Sequence, residues 1–171
     1  AELGFSEEFG RSRLDAAKTA GTGVVEQLED TDTLSVVSFA DETITHVAAL
    51  PLGNGGRQSA VAGIGSLTTR GCTDLNAGWL KGAEHVAGRM ATHPECRNRI
   101  LLLSDGHANS GVTEPGILAD TAAGLRQRGI YTSTVGIGLD YATDQLEVLA
   151  EYGGGMMHHA ERAEDIDEAT R

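Results

Sequence analysis

The stretch ILLLSDG, residues 100–106, is the most informative part of this sequence about its fold. Its four apolar residues, Ile100–Leu103, are typical of a strand that is buried on both faces of a parallel sheet. The polar residues Ser104, Asp105 and Gly106 follow at once, and an Asp-Gly pair favours a turn. The stretch therefore predicts a central strand whose carboxyl end opens onto a polar loop.

Helical and strand patterns alternate on both sides of this strand. Upstream, the sequence predicts a helix over Ser12–Glu29 with Ser12 as its cap, a hairpin of Leu34–Phe39 and Thr43–Leu50, and helices over Gln58–Leu67 and Leu75–Ala91. Downstream, it predicts a helix opened by Pro115 and stopped at Gly129, a strand over Ile130–Gly138, a helix over Asp144–Tyr152, a break at Gly153–Gly155, an edge strand over Met156–Ala160 and a helix over Ala163–Thr170. The alternation predicts an α/β fold: a Rossmann-like, doubly wound and mostly parallel sheet with an antiparallel edge strand and helices on both faces.

Composition limits the classes of partner. The 171 residues are 40% hydrophobic, as expected for a single folded domain over residues 1–171. Twenty-five acidic residues against 13 basic ones give a formal net charge of −12, which disfavours nucleic acid and favours cations. No apolar run reaches the roughly 20 residues that a membrane-spanning helix needs. Cys72 and Cys96, at opposite ends of one predicted helix, support neither a disulfide scaffold nor a zinc finger.

Ligands of such sheets bind beyond the carboxyl ends of the strands, so the polar residues of that rim are the candidate site. Asp105 either binds a cation or caps the turn through Gly106. Of Thr73 and Asp74, which precede a predicted helix, one is expected to be its N-cap while the other can turn toward the rim. His107 is interpreted as a solvated loop histidine rather than a ligand.

Other polar features have structural interpretations. Asp140 is expected to cap the helix that follows it. His158 and His159 are adjacent on a predicted strand, so they point to opposite faces and cannot readily share a metal. The glycine-rich loop before Gln58 lacks the third glycine of a dinucleotide fingerprint. The sequence also contains no phosphate-binding loop, nucleophile elbow or H-E-x-x-H zinc helix.

Four blocks of sequence resemble, in order, a bacterial von Willebrand factor type A domain, most closely the branch shared with calcium-activated-chloride-channel-like and inter-alpha-trypsin-inhibitor heavy-chain proteins. The blocks are SRLDAAKTAGTGVVEQLEDTDTLSVVSFADE, GCTDLNAGW, NRILLLSDGHANSG and YTSTVGIGLDYATDQLEVLAEYGGG. The resemblance implies a metal-ion-dependent adhesion site for Mg²⁺, or for Mn²⁺ or Ca²⁺, with Thr73 and Asp105 among its ligands. It also implies a protein partner whose carboxylate completes the metal shell, contacted by the rim residues Asp74, His107 and Asn109. Binding rather than catalysis is expected.

One part of the family pattern is missing from the given sequence. Family members begin with a strand and a D-x-S-x-S loop, and residues 1–11, AELGFSEEFGR, contain neither. The missing strand would lie between Leu34–Phe39 and Ile100–Leu103, so direct pairing of these two strands would contradict the hypothesis of a missing upstream segment. We therefore expect this domain to be part of a larger protein, and Mg²⁺ to bind weakly to Thr73 and Asp105 alone.

Two alternatives stay open. In a phosphoryl-transfer enzyme of the receiver or phosphatase type, Asp105 would accept the phosphoryl group with the help of Mg²⁺. Such sites need a lysine at a later strand end, and no lysine follows Lys81. The other alternative is a structural assembly domain with a degenerate metal site.

Overall fold

A computed structural model describes residues 3–68, 74–105, 110–138 and 143–160 of the chain. Its elements, in chain order, are α1 (Leu3–Gln27), β1 (Thr33–Phe39), β2 (Thr43–Pro51), α2 (Gly56–Gly65), α3 (Leu75–Met90), β3 (Asn98–Ser104), α4 (Pro115–Gln127), β4 (Ile130–Ile137), α5 (Thr143–Gly153) and β5 (Gly154–Ala160). The helix predicted over Ala163–Thr170 lies outside the described residues. Within the described ranges, no helix is both long and apolar enough to span a membrane.

The first helix begins earlier than the sequence predicts. α1 starts at Leu3 and continues through Ser12, so the prediction of Ser12 as its cap is wrong. A serine is a good N-cap but also a tolerable interior residue, and the preceding residues contain no proline that would stop a helix. Gly4 and Gly10 precede Ser12 in α1, and each costs only about 1 kcal/mol relative to alanine, which does not end a helix of this length.

Arg57 of α2 fixes the other end of α1. Its guanidinium donates hydrogen bonds to the main-chain oxygens of Val25 and Leu28 and forms an ion pair with Asp30 at 2.9 Å. The last carbonyls of a helix have no partner within the helix, so a cation that binds them stabilises this end. Arg57 thereby ties α2 to the turn that leads from α1 into β1.

The strands form one antiparallel pair and one parallel sheet. β1 pairs with β2 in the predicted hairpin, for example Val36 with Val47. β3, β4 and β5 are parallel in that spatial order, with Leu102 opposite Thr134. The α/β class, the parallel strands and an antiparallel strand pair are thus confirmed. Within the described residues no ladder joins β1 to β3, so the antiparallel pair forms a sheet of its own.

Helices cover both faces of the parallel sheet, as predicted. Ile100 and Leu102 of β3 pack in one core with α3, α4 and α5, whereas Leu101 and Leu103 pack with α1 on the opposite face. This alternation explains why all four residues of the run are apolar. A third core lies between the carboxyl-terminal half of α1, the hairpin and α2, around Leu52.

The glycine run at 153–155 has a different role from the one predicted. The sequence predicts a break there and a strand from Met156, but α5 includes Gly153 and β5 already begins at Gly154. A Cβ at Gly155 would overlap the main-chain oxygen of Thr132, and Gly154 has a φ of 71°. These glycines allow β5 to approach β4 directly after the helix, which a residue with a side chain could not do.

Candidate metal site

Asp105 lies at the carboxyl end of β3 with an exposed side chain, where the sequence predicts it. Its main-chain oxygen accepts a hydrogen bond of 3.2 Å from Nη1 of Arg13 in α1. The carboxylate therefore lies just beyond the carboxyl end of a largely buried strand, and the main chain of Asp105 is held from the side of α1. An exposed carboxylate at this position can bind a hydrated cation without a large desolvation cost.

Arg13 was not identified from the sequence. Its guanidinium lies at the ends of two neighbouring strands, since Gly138, which follows β4, is within contact distance of Nε: a Cβ built there would be 3.5 Å away. Arg13 and Asp105 are 92 residues apart, so no local pattern could have revealed the contact. The rim thus combines the Asp105 carboxylate with a guanidinium, which lowers the net negative charge available to a cation.

Asp74 is the N-cap of α3. Its Oδ1 accepts a hydrogen bond of 2.9 Å from the main-chain N–H of Ala77, and its own N–H donates to the oxygen of Ala40 at 3.3 Å. The prediction that one residue of the Thr73-Asp74 pair caps this helix is therefore confirmed for Asp74. Because Ala40 directly follows β1, the capped end of α3 also marks the carboxyl end of β1.

The segment just before α4 contacts this cap. Gly111 has a φ of 70°, and a Cβ there would overlap the carboxylate of Asp74. Two residues further on, the main-chain oxygen of Thr113 accepts a 3.0 Å hydrogen bond from Nε2 of the buried Gln145 in α5. Neither contact was predicted, although the glycine in the polar run before Pro115 is a typical signal of a turn.

The structure describes only some of the other residues that the sequence analysis singled out. Thr73, His107, Asn109, Asp140 and Cys72 lie outside the described residues. Cys96 is exposed and unbridged, and His158 and His159 occupy successive positions of β5 opposite Val135 and Gly136.

The described residues by themselves do not form a complete metal site. Nowhere in the described ranges do three or more His, Cys, Asp or Glu side chains come together in a group that could hold a metal ion. Asp105 supplies one suitable carboxylate, while the carboxylate of Asp74 is engaged at the α3 cap. Further ligands would have to come from outside the described residues or from a partner.

Comparisons with known proteins support the predicted family. The model of the von Willebrand factor type A domain matches residues 5–171. The uncharacterized protein YfbK of Escherichia coli strain K12 is 29% identical over 148 residues, which cover 84% of this chain. The chain spans only 24% of the length of that relative.

Two solved structures share the fold. A von Willebrand factor type A protein from Catenulispora acidiphila matches with a TM-score of 0.80 and 21% identity over 96% of this chain and 38% of that one. Proximal thread matrix protein 1 from the mussel byssus, solved with a zinc-occupied MIDAS motif, matches with a TM-score of 0.72 and 18% identity over 94% of this chain and 41% of that one. Because the family model covers nearly the whole sequence, the chain belongs to the von Willebrand factor type A domain family.

Proposed function

We propose that this domain is a metal-dependent protein-binding module whose site lies at the carboxyl end of the parallel sheet. The observation that carries the proposal is the exposed carboxylate of Asp105 directly after β3. The zinc-occupied MIDAS motif of the mussel byssus protein, which shares the fold, supports a divalent cation at this rim.

The ligands proposed for this chain are the hydroxyl of Thr73 and the carboxylate of Asp105. Mg²⁺ prefers six oxygen ligands and retains several waters, so two protein oxygens with one formal charge hold it weakly. Mn²⁺ or Ca²⁺ can occupy a similar oxygen site. A D-x-S-x-S loop of the kind that the family resemblance implies, together with a carboxylate from a partner protein, would complete the shell. Asp74, His107 and Asn109 are the proposed contacts on the partner-facing rim.

A titration of residues 1–171 with Mg²⁺, Mn²⁺ and Ca²⁺ tests the site. We expect weak binding of Mn²⁺ by electron paramagnetic resonance that disappears in Asp105→Ala and persists in Asp120→Ala, which removes an exposed carboxylate from α4. Because Asp105 is exposed, its replacement should change the free energy of unfolding by no more than about 0.5 kcal/mol. Micromolar Mg²⁺ affinity that survives Asp105→Ala would refute both the site and the mechanism.

A second candidate is a structural assembly domain with a degenerate site. It is favoured by the lack of any group of three potential metal-binding side chains within the described residues. If this domain binds a protein partner and loses that binding when divalent cations are chelated, the structural assembly domain is excluded. The phosphoryl-transfer alternative has less support, since the last lysine, Lys81, lies on α3 and pairs with Glu84 at 2.8 Å instead of ending a strand.

A further inference from the structure

The amino end of the parallel sheet, opposite the proposed metal site, carries a group of arginines. β3, β4 and β5 begin there, and α3, α4 and α5 end there, because each helix leads into one of these strands. Met90 at the end of α3 lies near Gly129 at the start of β4, since a Cβ built on Gly129 would be 3.7 Å from its Cε. We name this arginine group the basic end, and its members are Arg89, Arg97, Arg99, Arg126 and Arg128.

The charge of this end is opposite to that of the whole chain. The segments that meet here, residues 89–99, 126–131 and 151–156, contain five arginines but only two acidic residues, Glu95 and Glu151. The chain as a whole has 25 acidic and 13 basic residues. A local positive charge on such an acidic protein attracts anionic groups that the rest of the surface repels.

In the part of the chain that the structure describes, none of the five arginines has an acidic partner. Ion pairs such as Arg57–Asp30 and Lys81–Glu84 lie elsewhere in the fold. Four of the five arginines are exposed, and Arg89 is half-buried. These guanidinium groups can therefore bind carboxylates from outside the chain, and the planar guanidinium does so through two parallel hydrogen bonds.

Helix ends explain only part of this group. Arg89 and Arg126 lie in the last turns of α3 and α4, where a cation stabilises the helix dipole. Arg97 and Arg99 instead lie just before β3 and within it, which a helix dipole does not explain. Arg99 is the neighbour of Tyr131 in register on β4, so the positive charge extends from the helix ends to the sheet.

A groove of about 590 Å³ opens beside these arginines. Its lining residues come from the ends of α4 and α5 and the start of β4, and they are Ala123, Arg126, Gln127, Tyr131, Glu151 and Tyr152. A Cβ built on Gly154 of β5 would be 2.8 Å from Nε of Arg126 and 3.1 Å from Cδ1 of Tyr131, so these two side chains lie close together. Both tyrosines are exposed. Tyrosine and arginine are among the residue types that contribute most to binding in protein interfaces.

The surroundings favour a short acidic peptide over a nucleic acid. The amino end of α3 bonds to Ala40, directly after β1, so β1 begins at the end of the molecule where α3 ends. Glu29, Asp30 and Asp32 precede β1 and place their carboxylates at this end. A long polyphosphate that crosses from β5 toward β1 would meet them, whereas a peptide of about seven residues, roughly 23 Å when extended, can stay on the basic side.

We propose that the basic end binds a short acidic peptide segment of a partner protein. Its carboxylates pair with Arg97 and Arg99, while an apolar side chain enters the groove lined by Tyr131 and Tyr152. Glu151, which also lines the groove, disfavours a carboxylate there and so favours one orientation of the peptide. The site lies at the opposite end of the sheet from the proposed metal site and does not depend on it.

The test measures binding of a fluorescein-labelled peptide, EDEFEDE, to the chain of 171 residues by fluorescence anisotropy. The buffer contains about 100 mM NaCl, which gives a screening length of about 10 Å, and EDTA, which removes divalent cations. Three probes with the same label are compared. EDESEDE lacks the apolar side chain, QNQFQNQ lacks the carboxylates, and a thymidine heptamer carries phosphates in place of the carboxylates.

We expect saturable binding of EDEFEDE below about 0.5 mM protein, binding of EDESEDE that is weaker by about fivefold or more, and none of QNQFQNQ. In the ¹⁵N-labelled chain, EDEFEDE should shift the amide signals of Tyr131 and Gly154 and leave that of Asp105 unchanged. Tighter binding of the thymidine heptamer would overturn the proposal by assigning the surface to nucleic acid. Absence of saturable binding would also overturn it and leave the arginines as helix-end and solubility charges.

Arg99→Gln and Lys81→Gln each remove one positive charge, and their comparison localises the binding. Arg99→Gln should weaken the binding of EDEFEDE by about fivefold or more, because it removes a charge-assisted contact. Lys81→Gln should change it by less than about twofold, because Lys81 is about 12 Å along α3 from Arg89 and beyond the screening length. Equal effects would overturn the proposal, since the attraction would then come from the net charge alone.

Tyr152→Ala tests the groove independently of charge. It should weaken the binding of EDEFEDE by about threefold or more and leave that of EDESEDE unchanged. Arg99 and Tyr152 are exposed, so both variants should keep the circular dichroism and the urea midpoint of the natural chain. If Arg99→Gln does not fold, Arg97→Gln gives the same comparison outside every helix and strand. An unchanged affinity of Tyr152→Ala for EDEFEDE would contradict the proposed fit of an apolar side chain in the groove.

Discussion

At the residue scale, the contact between Gly111 and Asp74 joins the loop after β3 to the cap of α3. Gly111→Ala introduces a Cβ at a φ of 70° and against the Asp74 carboxylate. We expect a loss of more than about 1 kcal/mol in the free energy of unfolding, because both backbone strain and steric overlap oppose the side chain. Urea unfolding monitored by circular dichroism measures the change.

Introducing Gly111→Ala into the Asp74→Ala variant separates the backbone strain from the steric overlap. Alone, Asp74→Ala removes an N-cap and should cost about 1 kcal/mol, whereas Asp74→Ser keeps a capping oxygen and should cost less. In the Asp74→Ala background the steric part of the Gly111→Ala penalty should vanish and the backbone part remain. An undiminished penalty there would show that the carboxylate does not constrain the loop.

Glu84 allows a prediction about pH. A hydrogen bond from Lys81, assisted by the charge of that lysine, lowers the pKa of the exposed Glu84 carboxyl. A lowered folded-state pKa means that the pair contributes its small stabilisation above the unfolded pKa and loses it as the pH falls through the folded pKa. Lys81→Met should therefore raise the pKa of Glu84 in an NMR titration, and an unchanged pKa would contradict the pairing in solution.

At the scale of elements, one buried hydrogen bond orients α3 on the parallel sheet. Nε1 of Trp79 donates to Oγ1 of Thr132 in β4 at 3.1 Å, and both residues are fully buried. Thr132→Val would leave the indole N–H without this acceptor, and we expect a loss of about 1–3 kcal/mol in the free energy of unfolding.

A double-mutant cycle with Trp79→Phe checks this assignment. Once the indole N–H is gone, Thr132→Val no longer strands a buried donor, so the double variant should lose less stability than the sum of the single variants. Urea unfolding by circular dichroism is suitable, because Trp79 is the only tryptophan available for fluorescence. Additive losses would show that the hydrogen bond does not couple the helix to the strand.

At the scale of the whole molecule, the net charge of −12 opposes the compact state. Raising NaCl from about 10 mM to about 150 mM shortens the screening length from about 30 Å to about 8 Å. The urea midpoint should therefore rise with NaCl, equally in the natural chain and in Asp105→Ala. MgCl₂ at the same ionic strength should raise it further only where Asp105 is present, since bound cation stabilises the folded state beyond screening.

The fold class was predictable because its signals are local. Apolar periodicity, turn residues and the ILLLSDG run each act within a few residues, so they defined the strands, most helix ends and the place of Asp105 at a strand end. The errors lie where local preferences are weak. Ser12 is an acceptable residue both as a cap and inside a helix, and three consecutive glycines fit both a break and a close approach of two strands.

The α/β alternation, the family resemblance and the carboxylate after the central strand were predictable from the sequence, because each depends on neighbouring residues in the chain. Only the tertiary structure shows that Asp74 caps α3 and that the Arg13 guanidinium lies beside Asp105. It also shows how the strands divide into two sheets. Arg13 and Asp105 are 92 positions apart, and their contact exists only because α1 packs across the ends of β3 and β4. In the described part of the chain, the separation of β1 and β2 from the parallel strands likewise follows from the pairing of whole strands, which no single stretch of sequence specifies.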